Sequence, residues 1–553
     1  MPRTFRAIEE DFIELYGTIQ CHGIAVGGSA TRVGFHKYDD RIFVPSDRNL
    51  AHVWKEITRL TKDLKTLNYT KMSFRDGLRA REMVKRLASI KKDMEWNIQS
   101  PVYYLRAIGE GILTLQGCDH LPKQRRAVNM AKRFKYTHAL FESSKKRVRR
   151  TSQLHVQVAT QLGNALIGFF TTEIPRFVED QKPQIRKTVV SEARAAAEEV
   201  RQYLRFIDSI KKELPERQPL GDEEYTEILQ VKFGFDTDAT AMREFGEREF
   251  EIWSAKLDGL ARKLVPGAKS WVEVKQKLMD DHPVTDRQVI TEYRAALAQN
   301  RKFLRKNNIV TLPEGETCKL IETPTWERVF KGFASCWNDG IVEGMRSSTL
   351  WMTPSFPGKD PEEHHREHYR AYQRIHVGHE GYPGHHVNYT NIAVHAPKSS
   401  RFITRFGGGI IEGWAVYAET VLKENGAFDE EQEFAWALNI LWRCVRVIND
   451  VGLHTGSMSF DDAVKLLVDK LKMNPTAAES EVNRQLVEPG NLPKYLYGRN
   501  TIIEIREEAR EKLGSKFDQK WFHDLLTQAG EISLPGLREL TMHEADVLLE
   551  KRA

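Results

Sequence analysis

Residues 239–264, ATAMREFGEREFEIWSAKLDGLARKL, set Met242, Phe245, Trp253, Leu257, Leu260 and Leu264 among charged residues at helical intervals. Side chains three and four apart share one face of an α-helix, so the spacing predicts an amphipathic helix with a single buried stripe. The same pattern recurs over Ser191–Leu214 and Asp286–Asn307. Two-residue alternation is scarce, and Ile309–Leu312 and Lys319–Thr323 are the better strand candidates. The expected fold is mainly α, with at most a small β-sheet.

Outward from these helices the composition changes near residue 310, where Pro313, Pro324, Pro354, Pro357 and Pro361 mark connections rather than long helices. A chain of 553 residues exceeds one typical core. The expected division is an N-terminal helical lobe, residues 1–310, and a C-terminal lobe, residues 311–553, carrying the chemistry, with one continuous domain as the alternative. A hydrophobic fraction of 41% and a charged fraction of 29% exclude a disordered chain.

The 83 Lys and Arg nearly balance the 77 Asp and Glu, so net charge calls for no nucleic-acid or membrane partner. The excess is local: between Lys123 and Arg150, eleven basic residues face the single acid Glu142, with Phe134, Tyr136 and Phe141 between them. A solvated helix pair is the expected reading, and single-stranded nucleic acid is its rival. Thr151–Thr172 lacks formal charge but holds His155 and several amides, as a buried helix does. The N-terminus does not read as a signal peptide, and five scattered cysteines suit a reduced, cytoplasmic protein.

The chemistry centres on HEGYPGHH, His379 to His386. Asp360-Pro361-Glu362-Glu363 opens a helix expected to run through His376 and His379 towards Tyr382. Pro383 then removes a backbone donor and Gly384 lets the chain turn, which brings His379-Glu380 and His385-His386 together across a helix break. A zinc hydrolase needs three protein ligands, an open position for water and a carboxylate near that water. HExxH supplies two ligands from one helical face, but here residue 383 is proline and the histidines stand six or seven apart. Downstream, GGG at 407–409 leads into IIEGWAVYAETVLKENG, where Glu412 is the expected third ligand and Glu419 the outer group orienting a ligand histidine. His376 offers a shifted ligand set, while His364, His365 and His368 read as a solvated helix face.

These motifs carry a resemblance. HExxPGHH, EGWAVYAE, Arg446-x3-Asp450-x-Gly452-Leu453-His454, Glu481-Val482-x-Arg484, Pro489-Gly490 leading to Tyr495 and Gly498, and IREEAREKLG resemble an uncharacterised family of bacterial and archaeal proteins, a domain of unknown function. GDEEYTEILQVKFGFD and NNIVTLPEGE extend the likeness over most of the chain. More distantly, the C-terminal lobe is similar to gluzincin metallopeptidases, which pair HExxH or HExxGH with a Glu on a later helix. That likeness implies a zincin-like metallohydrolase. It sets Gly384-His385 in the place of the peptidase Gly-His and favours His385 over His386, which stays the alternative ligand. The spacing is two residues longer, and Val416 stands where an acidic outer residue often follows the ligand Glu.

The resulting expectation is one zinc ion per chain, with manganese and cobalt left open. The enzyme would hydrolyse amide or peptide bonds in small substrates, in the manner of a carboxypeptidase or dipeptidase. Glu380 is the expected general base, His454 and Tyr495 the oxyanion donors, and Arg446 and Arg484 the anchors of a substrate carboxylate. Arg446, Asp450 and His454, at four-residue spacing, equally suit a structural salt bridge; Asp450 is a further outer-group candidate. Arg484 equally suits pairing with Glu481, and Tyr495 core packing. Metal chemistry on a non-peptide amide or C–N bond is the enzyme alternative, and a basic nucleic-acid-binding protein with a structural His cluster the non-enzyme one. A homodimer is compatible with all of these.

Overall fold

In a computed structural model of the chain, residues 3–19, 30–148, 151–323, 328, 332–356, 360–402 and 406–550 are described. The fold is mainly helical with one three-stranded sheet, as the periodicity predicts. Two compact units emerge. The first comprises Met1–Pro219 with the short segments Asp339–Glu343 and Pro397–Arg405; the second holds Leu220–Asn338, Gly344–Ala396 and Phe406–Ala553. The division expected near residue 310 therefore falls at residue 219. Helices before 310 are built into the same core as the C-terminal ones. Trp253 meets Trp436 edge-on at 5.1 Å, and the Asn300 amide donates to the Arg374 carbonyl at 3.0 Å.

In the first unit, the uncharged stretch forms the helix Gln153–Gly168, capped by the Ser152 hydroxyl. Among the described residues no helix is long and apolar enough to cross a membrane. The basic run forms the helices Lys123–Phe134 and Thr137–Arg147. Its charge is largely answered from within. Arg133 is fully buried and donates to the Gly111 carbonyl at 2.5 Å, while Lys123 pairs with Asp180 at 2.8 Å and Lys145 with Glu142 at 2.6 Å. Phe134 packs against Phe170 and Phe141 stacks on Tyr203, so both rings are core rather than platforms for bases. Arg149, Arg150 and Cys21 lie outside the described residues, and the four described cysteines are free thiols.

In the second unit, Asp238 caps the helix Ala239–Leu264, whose stripe of Met242, Phe245, Trp253 and Leu257 is buried. The sheet comprises β1 (Thr317–Glu322), β2 (Ala334–Asn338) and β3 (Ser347–Met352), with β3 central, parallel to β1 and antiparallel to β2. β1 overlaps the expected strand at Lys319–Thr323. Ile309–Leu312 is not a strand. Its backbone is committed elsewhere, with the Ile309 carbonyl 2.9 Å from His523 Nδ1 and Thr311 N–H donating to Asp524 at 2.7 Å.

Asp360 caps as expected, but the helix it starts is short. Pro361–Glu367 ends at His368, and Arg370–Glu380 begins anew after Tyr369. The Arg370 N–H donates to the Asp281 carbonyl at 3.0 Å, which takes it out of the helical ladder. Far from forming a solvated face, His364, His365 and His368 are buried. His364 and His368 each place Nε2 3.0 Å from the Thr353 carbonyl, and His365 pairs with Asp286 at 2.8 Å. The Tyr293 hydroxyl stands 3.1 Å from both His368 Nδ1 and His376 Nδ1. Burial, aided by His379, pushes His376 down to about 3, so this ring stays neutral on Tyr293.

Candidate metal centre

The helix Arg370–Glu380 stops because Gly381 leaves helical geometry and Pro383 lacks a backbone N–H; the Tyr382–Pro383 peptide bond is cis. The chain then folds back on the helix end, with the Gly384 N–H donating to the Gly378 carbonyl at 2.8 Å. A Cβ on residue 384 would stand 1.8 Å from the His379 carbonyl oxygen, so no larger residue fits this approach. Trp414, from the helix Gly408–Glu424, fixes the bend by donating Nε1–H to the Pro383 and Gly384 carbonyls at 3.0 and 3.1 Å. The next helix, His385–His395, starts directly after it.

The fold-back brings His379, His385 and Glu412 together, with ligand-type atoms all within 4.8 Å of one another. His385 Nε2 is 3.3 Å and His379 Nε2 3.6 Å from Glu412 Oε2. All three side chains are buried, and Glu412 Oε2 is sealed from solvent without a hydrogen bond of good geometry. Two imidazoles and a carboxylate converging on one point suit zinc as donors, and a buried carboxylate oxygen lacking a hydrogen bond is costly unless a positive charge meets it.

Glu419 lies two turns beyond Glu412 and faces His379, whose Nδ1 is 2.9 Å from Glu419 Oε1. Asn439 donates to the other Glu419 oxygen at 2.8 Å. With Nδ1 committed to Glu419, Nε2 of the neutral ring carries the lone pair towards Glu412. Burial opposes a charge on His379, yet Glu412 and Glu419 together raise it to about 9. Glu412 is disfavoured by burial too, but Lys494, His385 and His379 hold it well below the usual carboxylate range. The pocket is thus built to hold positive charge between its carboxylates.

His386 turns away from this group, with Nε2 2.9 Å from Glu316 Oε2. Glu316, just before β1, is buried and also accepts from the Tyr382 hydroxyl and from Arg301 at 2.8 Å. Neither Glu316 nor Lys494 was singled out by sequence reasoning. Glu316 stands inside the quoted NNIVTLPEGE, its one available signal. Lys494 places Nζ 3.6 Å from Glu412 Oε1 and is itself buried.

The remaining expected residues separate into two places. The Tyr495 ring stacks on His379, with centroids 6.2 Å apart at 10°, and its hydroxyl accepts from Arg484 at 3.3 Å. Arg446 lies over the Tyr495 ring and pairs through Nε with Glu481 at 2.5 Å. The close approach of the helices Gly408–Glu424 and Pro493–Leu513 sets Lys494 and Tyr495 beside Glu412; a Cβ on Gly413 would lie 2.6 Å from the Gly498 carbonyl carbon. Glu380 makes no side-chain hydrogen bond with the described residues and is 9% exposed. Asp450 and His454, further along Glu430–Thr455, engage another region. Asp450 Oδ1 accepts from Tyr225 at 2.7 Å and from the Gly490 N–H at 2.8 Å. His454 Nε2 lies 3.0 Å from the Gln485 carbonyl, and its ring stacks on Tyr225.

Asp450 yields a stability prediction. Burial pushes its carboxyl up to about 7, against the pull of Tyr225 and Gly490. The folded chain then holds this proton more tightly than the unfolded one. The stabilisation is fully present below the unfolded pKa near 3.8 and is lost as pH rises through about 7. Asp450→Asn keeps the acceptor and removes the titration. Its stability relative to the parent should rise by about 2 kcal/mol between about pH 5 and about pH 8 in urea unfolding. Parallel pH dependence in the two proteins would contradict the buried, proton-holding carboxyl.

The family model described as "Bacterial protein of unknown function (DUF885)" matches residues 28–540. Two solved structures share the fold over nearly the whole chain. One is a candidate lipoprotein of unknown function from Shewanella oneidensis, with a TM-score of 0.79 at 19% identity, covering 98% of this chain and 100% of that one. The other is a candidate lipoprotein from Colwellia psychrerythraea, with a TM-score of 0.83 at 15% identity, covering 98% and 99%. None of the curated proteins matches the chain.

Proposed function

Because the chain belongs to the DUF885 family of bacterial proteins of unknown function, the site itself has to carry the assignment, and we propose a zinc-dependent hydrolase of amide or peptide bonds in small substrates. The observation that carries this reading is the convergence of His379, His385 and Glu412 around a buried carboxylate oxygen that accepts no hydrogen bond from the described residues.

His379, His385 and Glu412 would hold the ion, with Glu419 keeping His379 in the required tautomer. When bound, zinc supplies a Lewis acid and lowers the pKa of water. Glu380 follows a ligand directly, and none of the described residues competes for its carboxylate by a hydrogen bond. It takes a proton from the attacking water and passes it to the leaving amine. Tyr495 supports the oxyanion. Burial and the nearby Glu412 push its phenol up to about 12, so at neutral pH it keeps the proton it must donate. The donor role falls to Tyr495 rather than His454, whose ring is engaged by Gln485 and Tyr225.

The two arginines divide in the same way. Arg446 is tied directly to Glu481, whereas Arg484 feels Glu481 and Glu488 only through space, is solvent-exposed and bonds the Tyr495 hydroxyl. Arg484 is therefore the anchor for a free substrate carboxylate, which favours a carboxypeptidase- or dipeptidase-like reaction. Hydrolysis of a non-peptide amide would use the same residues and differ in the absence of that carboxylate.

The test is kinetic. Peptides with a free C-terminus should be cleaved with kcat/KM about ten- to a hundredfold above their C-terminal amides, and Arg484→Met should erase the difference. Equal cleavage of free and amidated peptides refutes the carboxylate anchor and leaves the hydrolase. A purified chain with no transition metal bound at this site sinks the hydrolase as well.

A further inference from the structure

The first unit contains another set of ligand-type side chains. His36 lies in the short turn His36–Tyr38, His120 in the turn after the helix Pro101–Gly117, and Glu343 closes the turn Ile341–Glu343. Glu343 belongs to the short segment Asp339–Glu343, which returns to this unit and is pinned there by backbone bonds. Gly340 N–H donates to the Arg32 carbonyl at 3.1 Å, and Val342 N–H to the Val33 carbonyl at 2.7 Å. Gly34, at φ +92°, makes room for the acid, since a Cβ there would stand 2.8 Å from Glu343 Cγ.

Ligand-type atoms of His36, His120 and Glu343 all lie within 4.8 Å of one another. His36 Nδ1 is 3.1 Å from Asp39 Oδ2, and Asp39 is almost fully buried. With Nδ1 donating to that carboxylate, the lone pair sits on Nε2, which lies 3.6 Å from Glu343 Oε1. A carboxylate behind a histidine is the usual way to fix the tautomer of a metal ligand. Both ring nitrogens of His120, and His36 Nε2, are sealed from solvent with no hydrogen-bond partner among the described residues. Polar nitrogens buried in this state normally have a partner. The Glu343 contact to His36 Nε2, at 3.6 Å, is too long for a hydrogen bond, and two imidazoles with a carboxylate match the preference of a borderline divalent ion.

We propose that His36, His120 and Glu343 form a second transition-metal site, for zinc or an ion of like preference, with Asp39 orienting His36. The ion ties the returning segment at Glu343 to the turns at His36 and His120, which makes it a structural clip. This site does not rest on the hydrolase reading.

The test uses the full chain with His385→Ala and Glu412→Ala, which disables the first site, dialysed against micromolar zinc chloride. About one zinc per chain should remain, and adding His36→Ala and His120→Ala should remove it. Asp39→Asn should weaken the remaining zinc about 10–100-fold in a competition titration. Should the multiple variant fail to fold, His120→Gln in the otherwise unchanged chain lowers the zinc count by one equivalent relative to the parent. No zinc on the first variant, zinc surviving the loss of both histidines, or an unchanged count in His120→Gln overturns the proposal.

Discussion

Glu380→Gln is expected to lower kcat by about 10²–10⁴-fold while the metal stays bound. The substitution keeps the size and hydrogen-bonding shape of the side chain, and removes its ability to take a proton. Glu380 lies at the end of the helix Arg370–Glu380, beside His379, with no group of the described residues hydrogen-bonded to its carboxylate. No described group bonds its carboxylate, so zinc content and unfolding midpoint should stay close to the parent. The decisive measurement is turnover on a free dipeptide at equal metal loading. Full activity in Glu380→Gln would end the hydrolytic mechanism, whatever the metal content.

The second large effect separates the adjacent histidines. His385→Ala and Glu412→Ala each remove an atom of the converging set, and zinc affinity should fall by more than the roughly 10–100-fold expected for an outer partner such as Glu419. His386→Ala should keep its zinc. The His386 ring lies against Glu316, so its loss strips a buried carboxylate of one bond while Tyr382 and Arg301 remain. The expected cost is stability, about 1–3 kcal/mol. Inductively coupled plasma analysis after dialysis, with urea unfolding alongside, distinguishes the two patterns. An empty site in His386→Ala together with a filled one in His385→Ala would reverse the assignment.

What could be read in the chain was what is local. The helix Ala239–Leu264 has its cap and its stripe within one stretch of sequence, and the hinge between His379 and His385 is written in Pro383 and Gly384. Distant partners were not legible. β2 and β3 are short runs, ASCWN and SSTLWM, whose extended state comes from pairing with each other and with β1. His364, His365 and His368 follow a charged helix start and read as solvated. Their burial is decided by Thr353, Asp286 and Tyr293, outside their own helix. Glu316 precedes His386 by 70 residues, and no spacing rule joins an isolated acid in a loop to a histidine that far on. The break at His368–Tyr369 likewise depends on a carbonyl, that of Asp281, from another part of the chain.

The contact between Gly413 and Gly498 limits how this protein can diverge. A Cβ on Gly498 would fall 2.1 Å from the Gly409 carbonyl oxygen, and one on Gly413 would strike the backbone of Gly498. Most tight contacts in a core can drift, because one residue grows while its neighbour shrinks. Here both neighbours are already the smallest residue, and the obstacle is main chain, so there is no compensating exchange. Any descendant that gains a side chain at either position must push the two helices apart, and with them Glu412 from Lys494 and Tyr495. Selection for the pocket would then appear in descendants as two glycines that never change, though neither touches the reacting groups.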